Sequence, residues 1–187
     1  MATEGQDRGH LLTALARAAI AAEFGVSWPA LPHPAWLDAP AASFVTLTLH
    51  GALRGCIGTL EAQRTLCNDV IHNARAAAFG DPRFPPLAAG ELPAVRIEVS
   101  VLTTPQQVRF TDETDVLRQL RPGIDGVIFE YGPYRSTFLP QVWEQLPEPI
   151  EFIMHLKQKA GLSAGFWNDD IRLSIYQAEK FKEEISK

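Results

Sequence analysis

The chain has 187 residues, of which 46% are hydrophobic and 21% are charged, a composition typical of a globular protein. A chain of this length buries about 70% of its unfolded surface, so it needs neither a disulfide nor a metal to hold a core. The formal net charge is −5, and Lys and Arg form no dense run that could follow a phosphate backbone. The composition therefore argues against a protein that binds nucleic acid.

The first predicted helix spans about residues 7–24, where Leu and Ala recur at helical spacing before Gly25. This apolar segment is not typical of a signal peptide, because Arg17 interrupts it and no basic region precedes it. No other segment approaches the roughly 20 apolar residues of a membrane span. We expect a cytoplasmic protein with no membrane segment, in which Cys56 and Cys67 stay reduced.

Two strand-like runs, 44–49 and 53–58, are separated by residues 50–52 and predict a hairpin. A two-residue turn would mix threonine with leucine and isoleucine on one face, whereas a three-residue loop keeps the apolar side chains together. We therefore favour the three-residue loop. The apolar face then carries Val45, Leu47, Leu49, Leu53 and Ile57, and the opposite face carries Thr46, Thr48, Arg54 and Cys56.

The rest of the chain alternates between helical and strand-like patterns. The pattern predicts a helix over 65–79, a rigid turn in DPRFPPL, a strand over 96–103, a short helix over 112–120, two strands within 123–140, a helix over 148–161 and a closing strand from 171. This order predicts an α+β fold, with a mainly antiparallel sheet and helices packed around it.

Cys56 lies between two glycines in the segment LRGCIG. A cysteine nucleophile needs its thiolate, and Arg54, on the same strand face, is a cation that could supply the necessary drop in thiol pKa. The alternative is that Cys56 is packed as a small hydrophobic residue, as unreactive cysteines commonly are. The sequence indicates no histidine base beside the thiol, which counts against a reactive cysteine. Both interpretations nevertheless remain open.

A strand over 96–103 placed beside the hairpin would bring Glu98 and Ser100 onto the polar face and form a candidate ligand-binding cleft. The alternative is a structural ion pair between Arg54 and Glu98. Asp81 and Arg83 either brace the turn after the second helix or line the rim of the cleft. The candidate catalytic residues are Cys56, Arg54 and Glu98, and the candidate ligand-binding residues are Thr46, Gly55, Gly58, Asp81, Arg83 and Ser100.

Three glycines near the hairpin suggest a phosphate loop only weakly, since the Lys-Ser/Thr pair of a nucleotide loop is missing. Gly55 and Gly58 fit better as places for a bulge or a close approach of another backbone. The two cysteines and five histidines form no close pairs of the kind that bind zinc. We therefore expect no metal site, and the sequence indicates no cofactor.

Five segments together resemble the AMMECR domain family, whose bacterial and archaeal members are called AmmeMemoRadiSam system protein A. They run in order from about residue 11 to the carboxyl terminus, and the LRGCIG and DPRFPPL segments are quite specific. The segments are LRGCIGTLEA, NARAAAFGDPRFPPL, ELPAVRIEVSVLT, GIDGVIFEYG and FLPQVWEQLPEPIEFIMHLKQKAGL.

The resemblance implies one AMMECR-type domain over residues 1–187, with a core of about 43–163 and a cleft between a larger and a smaller lobe. It implies no established biochemical activity. The system name implies a pathway shared with a Memo-like protein and a radical SAM protein. Residues 53–58 match the family signature without departure, and this match does not make Cys56 catalytic.

Two functions remain compatible with these patterns. In the first, which we favour, the protein is a binding module whose polar cleft around Arg54 and Cys56 holds a small ligand or a partner peptide. In the alternative, it is an enzyme or transfer protein in which Cys56 is a nucleophile or redox thiol, Arg54 activates it and Glu98 orients it. We favour binding because the sequence shows no complete catalytic set.

Overall fold

The fold is known from a computed structural model, which describes residues 4–183. The described chain divides into two compact units, residues 4–102 with 179–183, and residues 103–178. Each unit has its own four-stranded sheet and its own hydrophobic core. The predicted α+β class is confirmed, while the single domain over 1–187 and the cleft between lobes stay predictions.

The four α-helices of the described chain are α1 (Glu4–Glu23), α2 (Leu66–Phe79), α3 (Glu113–Gln119) and α4 (Pro149–Lys159). The strands are β1 (Pro40–Ala41), β2 (Ser43–Leu49), β3 (Ala52–Gly58), β4 (Arg64–Thr65), β5 (Val95–Leu102), β6 (Gln106–Gln107), β7 (Gly126–Tyr131), β8 (Tyr134–Phe138), β9 (Arg172–Tyr176) and β10 (Ala178–Lys182).

The sheet of the first unit has the strand order β10-β5-β2-β3. Its apolar face, which includes Val45, Leu47 and Val99, packs against α1 and α2 in one buried core. Alternation along each strand sends the other side chains to the opposite face. The helices therefore cover one face of this sheet, and the polar side chains lie on the other.

The hairpin of β2 and β3 differs from the three-residue loop that the sequence predicts. Leu49 pairs with Ala52, and the two residues between them, His50 and Gly51, have φ angles of 51° and 84°. Positive φ at both positions is what a tight type I′ turn requires. The prediction of a three-residue loop is therefore wrong.

A β-bulge at Arg54 restores the pairing that the longer loop was expected to give. Leu47 pairs with Gly55 and Thr48 with Leu53, so Arg54 is the extra residue on β3. Beyond the bulge, Ile57 lies opposite Val45, as the apolar pattern predicts. Before the bulge, Leu53 lies on the polar side and is 44% exposed.

The second unit has the sheet order β6-β9-β7-β8, with a core that includes Phe129, Phe152 and Leu156. The closing segment from residue 171 forms two strands rather than the single predicted one. β9 belongs to this sheet and β10 to the sheet of the first unit. Alternation alone does not show where a chain leaves one sheet for another.

Within residues 4–183, no helix combines the length and the apolar character that crossing a membrane requires. The cytoplasmic location stays a prediction.

Candidate functional site

A row of three side chains crosses the polar side of the first sheet. Thr46 on β2 pairs with Glu98 on β5 and with Cys56 on β3. The Thr46 hydroxyl and the Cys56 thiol share a hydrogen bond of 3.3 Å between Oγ1 and Sγ. All three residues are half-buried. We call the side chains of Thr46, Thr48, Cys56, Glu98 and Ser100 the polar face.

Ser100 lies on the next row, where Phe44 pairs with both Ser100 and Gly58. The Phe44 ring occupies the space beside Gly58, because a Cβ atom there would lie 2.1 Å from Cγ of the ring. Ser100 is only 7% exposed. This end of the polar face is therefore filled by a side chain of the protein itself.

Gly55 has a similar reason for being glycine. A Cβ atom at this position would lie 2.1 Å from the carbonyl oxygen of Ala77 in α2. The structure thus confirms the close approach of another backbone at Gly55, whereas at Gly58 the close neighbour is the Phe44 side chain. Their role in ligand binding stays a prediction.

Arg54 does not point to Cys56, the neighbour that the sequence suggests. Its Nε and Nη2 atoms each donate to Glu91, at 2.9 Å, while Nη1 donates to the Pro85 carbonyl at 2.9 Å and Nη2 to the Pro86 carbonyl at 3.3 Å. These hydrogen bonds hold the bulged strand to the segment before β5. The Arg54 guanidinium therefore contacts residues 85–91 and not Cys56.

The electrostatics of this pair follow from its geometry. The hydrogen bond from Arg54, helped by the backbone N–H of Ala88, lowers the pKa of Glu91 to about 2. The same hydrogen bond raises the pKa of Arg54. The Arg54 side chain is only 11% exposed. The pair is charged and largely enclosed at neutral pH.

Glu98 also has a different partner from the one considered in the sequence. Its Oε2 atom lies 3.7 Å from Nζ of Lys182, whose side chain is 79% exposed. The structural ion pair between Arg54 and Glu98 is therefore not formed. Because β2 lies between β5 and β3, two strand spacings of about 4.8 Å each separate the backbones of Glu98 and Cys56.

The Cys56 backbone is held by the DPRFPPL turn. The buried carboxylate of Asp81 accepts the Cys56 N–H at 2.9 Å, and Nη2 of Arg83 donates to the Cys56 carbonyl at 3.2 Å. β3 is the edge strand of its sheet, and Cys56 offers these two groups on the side away from β2. Asp81 and Arg83 thus protect the strand edge at Cys56.

Asp81 and Arg83 also form a tight pair. Oδ1 of Asp81 accepts from Nε of Arg83 at 2.9 Å, and Oδ2 accepts from Nη2 at 2.7 Å. The hydrogen bond from Arg83 holds the pKa of the Asp81 carboxyl well below its usual range, although burial opposes this. Asp81 in turn raises the pKa of Arg83, and the nearby Cys56 adds to the increase.

The cation beside Cys56 is therefore Arg83, with a side chain that is 54% exposed. The sequence offered two roles for Asp81 and Arg83, bracing the turn or lining a rim. The structure shows that they brace it. Half of the Arg83 side chain nevertheless remains open to solvent beside the polar face.

A buried polar network near the start of α2 escaped the sequence analysis. Its centre is Asp69, a fully buried carboxylate on the first turn of the helix. The donors to Asp69 are the backbone N–H and hydroxyl of Ser43, the hydroxyl of Thr59, the guanidinium of Arg64 and the amide of Asn73. These contacts attach α2 to β2, so we assign the network a structural role.

The two cysteines are both free and half-buried. Burial, followed by the charge of Asp38, raises the pKa of the Cys67 thiol. Among the described residues 4–183, no three His, Cys, Asp or Glu side chains converge as a metal site would require. The chemistry available on the polar face is thus that of a thiol, hydroxyls and a carboxylate, with the guanidinium of Arg83 beside it.

The two segments that carry the most specific family resemblance, LRGCIG and DPRFPPL, contact each other through Cys56, Asp81 and Arg83. The AMMECR1 family model matches residues 13–181. The chain belongs to the AMMECR1 family. The range matched by the family model includes both sides of this contact.

Archaeal proteins resemble this AMMECR1 chain over much of its length. A protein of Methanothermobacter thermautotrophicus is 41% identical over 143 residues, which cover 75% of this chain and 74% of that protein. A Methanopyrus kandleri protein is 35% identical over 185 residues, covering 95% and 89%. The crystal structure of PH0010 from Pyrococcus horikoshii is similar, with a TM-score of 0.81, 35% identity and coverage of 94% and 91%.

Proposed function

We propose that this AMMECR1 protein is a binding component of a cytoplasmic pathway, and that its ligand or partner contacts the polar face beside Arg83. One observation carries the proposal. The half-exposed guanidinium of Arg83 is fixed by the buried Asp81 next to the polar face. A cation held in one orientation loses little conformational entropy when it binds an oxyanion, which favours its use in recognition.

The contacts of Cys56 favour binding over catalysis. Within residues 4–183, the Cys56 thiol hydrogen-bonds to the Thr46 hydroxyl, whereas the side chains of Asp81 and Arg83 contact the Cys56 backbone N–H and carbonyl. None of these side chains is a suitable general base, because a general base that accepts the thiol proton needs a pKa near neutral pH. Asp81 is the only carboxylate among them, and its lowered pKa makes it a weak proton acceptor. The thiol is better explained as part of the binding surface.

The chemistry of the surface indicates the kind of group that it would take. Arg83 would contact a carboxylate or phosphate, and the Thr46 hydroxyl and the Cys56 thiol can form weaker hydrogen bonds beside it. Glu98 would accept from a donor on the same ligand. A partner peptide or a small ligand with an acidic group fits this arrangement.

The family resemblance supports a choice of partners. Because bacterial and archaeal members are called AmmeMemoRadiSam system protein A, we propose a Memo-like protein and a radical SAM protein as binding partners. The polar face would then be the surface at which one of them docks.

Calorimetry with the full chain and each of the two proteins from the same organism tests the proposal. We expect binding that survives Cys56→Ser and weakens by at least about tenfold in Arg83→Gln, because a charged hydrogen bond is lost. Arg135→Gln is the matched control, since the Arg135 side chain is 46% exposed and also pairs with a carboxylate. Equal affinity of Arg83→Gln and the control would refute the proposal, as would absence of binding to both proteins.

The enzyme or transfer role of Cys56 is a second candidate, favoured by the guanidinium of Arg83 beside it. Alkylation of the native protein across a pH series, read by peptide mass spectrometry, compares Cys56 with Cys67. A reactive Cys56 would be modified at a pH where Cys67, with its raised pKa, is not. Arg83→Gln would reduce that difference. Modification of Cys56 only after unfolding would exclude the second candidate.

A further inference from the structure

The second unit contains a polar hollow that the proposed function does not use. Its volume is about 390 Å³, and it lies beside the β6 and β9 strands. The side chains around it are mainly hydroxyls and amides with one guanidinium. The polar side chains belong to Thr103, Thr104, Gln106, Arg121, Tyr176 and Gln177, and Ile175 adds one apolar side chain.

Arg121 is held rigidly at this hollow. The fully buried carboxylate of Asp125 accepts from Nη2 of Arg121 at 2.6 Å and from Nε at 3.1 Å. The same carboxylate accepts the backbone N–H of Arg121 at 2.9 Å. The Arg121 side chain is nevertheless 51% exposed. The Asp125 carboxylate thus fixes both the backbone and the guanidinium of Arg121, while half of the Arg121 side chain remains exposed to solvent.

The groups that line the hollow favour an anion, because they can donate hydrogen bonds and include no carboxylate among the described residues. No Asp or Glu is among the described residues that line it, whereas Arg121 is cationic, and Asp125 raises its pKa. Thr104, Gln106 and Gln177 are exposed and can donate hydrogen bonds. Burial raises the pKa of Tyr176 to about 12, so its phenol stays neutral near physiological pH.

We propose that this hollow binds a small molecule through a carboxylate or phosphate group, with Arg121 as the anchor. Guanidinium groups bind such oxyanions with paired, charge-assisted hydrogen bonds. Gln106, Gln177 and Thr104 would bind the polar remainder of the ligand. The volume lies near the lower end of the range for ligand pockets, about 300 to 1,000 Å³, and favours a small metabolite over a dinucleotide.

The inference is independent of the proposed function, because it uses other residues in the other unit. NMR of the ¹⁵N-labelled full chain tests it, with inorganic phosphate and succinate titrated separately and sodium chloride at matched ionic strength as the control. We expect saturable shifts at the amides of residues 103–106 and 177 and at Nε of Arg121 with one of the two anions. The responding anion distinguishes phosphate from carboxylate. No saturable shift with either anion, or the same shifts with chloride, would overturn the inference.

Variants sharpen the test without removing the charge that balances Asp125. Arg121→Lys keeps the cation but loses the planar fork, so we expect affinity for the responding anion to fall at least about fivefold. Gln106→Ala leaves the pair of Arg121 and Asp125 intact and should weaken binding about twofold to threefold. Arg135→Lys, in the same unit, should bind as the wild type does.

Unchanged affinity in a folded Arg121→Lys variant would overturn the inference. The spectrum of each variant reports directly whether it is folded. If Arg121→Lys unfolds, Gln106→Ala decides the matter, since wild-type affinity in that variant would place the anion elsewhere.

Discussion

Arg54, two residues before Cys56, and Arg83, which donates to the Cys56 carbonyl, both pair with a carboxylate, but their exposure is reversed. The side chain of Arg54 is 11% exposed and that of Glu91 is 26% exposed. The side chain of Arg83 is 54% exposed, whereas that of Asp81 is 2% exposed. In the first pair the cation is enclosed, and in the second the cation faces solvent.

This difference separates a structural arginine from one that is available for recognition. The guanidinium of Arg54 is occupied by Glu91 and by the carbonyls of Pro85 and Pro86. Removing one partner of an enclosed ion pair strongly destabilises a protein, because the charge of the other partner then remains buried without an opposite charge. The guanidinium of Arg83 is anchored along one edge and keeps contact with water. The position of an arginine in the sequence motif does not reveal which case applies.

The largest expected loss of stability comes from Arg54→Met. The substitution leaves Glu91 without its cationic partner and two carbonyls without a donor, so we expect the free energy of unfolding to fall by about 2 to 4 kcal/mol. This is below the range for fully buried pairs, since Glu91 is partly exposed. Urea denaturation measures the change. The control is Arg135→Met, which removes an exposed ion pair. An equal loss of stability in both variants would mean that the enclosed pair of Arg54 stabilises the fold no more than an exposed pair does.

Gly55→Ala tests the packing beside the bulge. Its new Cβ atom would lie 2.1 Å from the Ala77 carbonyl oxygen, which belongs to the backbone of α2 and cannot move alone. We expect a loss of about 1 to 3 kcal/mol from overpacking, measured by the same denaturation. Gly90→Ala is the matched control, because its Cβ atom would meet nothing within 4 Å. A tolerated Gly55→Ala would mean that α2 does not approach β3 this closely.

Local patterns predicted much of this region, and contacts distant in sequence account for what they missed. The helix α2 and the row of Thr46, Cys56 and Glu98 follow from periodicity, which each segment carries within itself. The sequence allowed a bulge at Gly55 or Gly58 but favoured a longer loop, because one extra residue on the strand shifts the pattern just as a longer loop does.

The partners of the two arginines show the same limit. Arg54 and Glu91 are 37 residues apart, so spacing could not join them, and the sequence suggested Cys56 and Glu98 as partners of Arg54 instead. Asp81 and Arg83 are two residues apart, and their proximity could be read directly. Their contact with Cys56, 25 residues before Asp81, depends on how α2 returns the chain to β3.

The dependence of stability on pH distinguishes the enclosed pair in another way. The pKa of Glu91 is lowered to about 2 in the folded protein from an ordinary value of 4.5. A carboxyl group whose pKa is lower in the folded protein than in the unfolded one stabilises the fold. This stabilisation is complete above the pKa of the unfolded state and is lost as the pH falls toward the pKa of the folded state. We therefore expect wild-type stability to decline between about pH 4.5 and pH 2, with a smaller slope in Glu91→Gln.

Denaturation at a series of acidic pH values measures this slope. Asp81 contributes in the same direction, because its pKa is also held low, so a reduced slope rather than a flat profile is expected for Glu91→Gln. The control is Glu98→Gln, because its partner Lys182 lies 3.7 Å away on a side chain that is 79% exposed, so this pair should matter little. A slope in Glu91→Gln as steep as in the wild type would contradict the role given to Arg54.

The smallest expected loss of stability is that of Arg83→Gln, about 1 kcal/mol by urea denaturation. Asp81 keeps its hydrogen bonds from the backbone N–H groups of Cys56 and residue 83, and water can enter where the exposed guanidinium was. A glutamine amide can also still donate. If this variant loses as much stability as Arg54→Met, Arg83 is a structural residue and its exposure has no bearing on recognition. A small loss of stability together with a large loss of partner binding would instead separate the two arginines by function, because only the enclosed one would then be required for the fold.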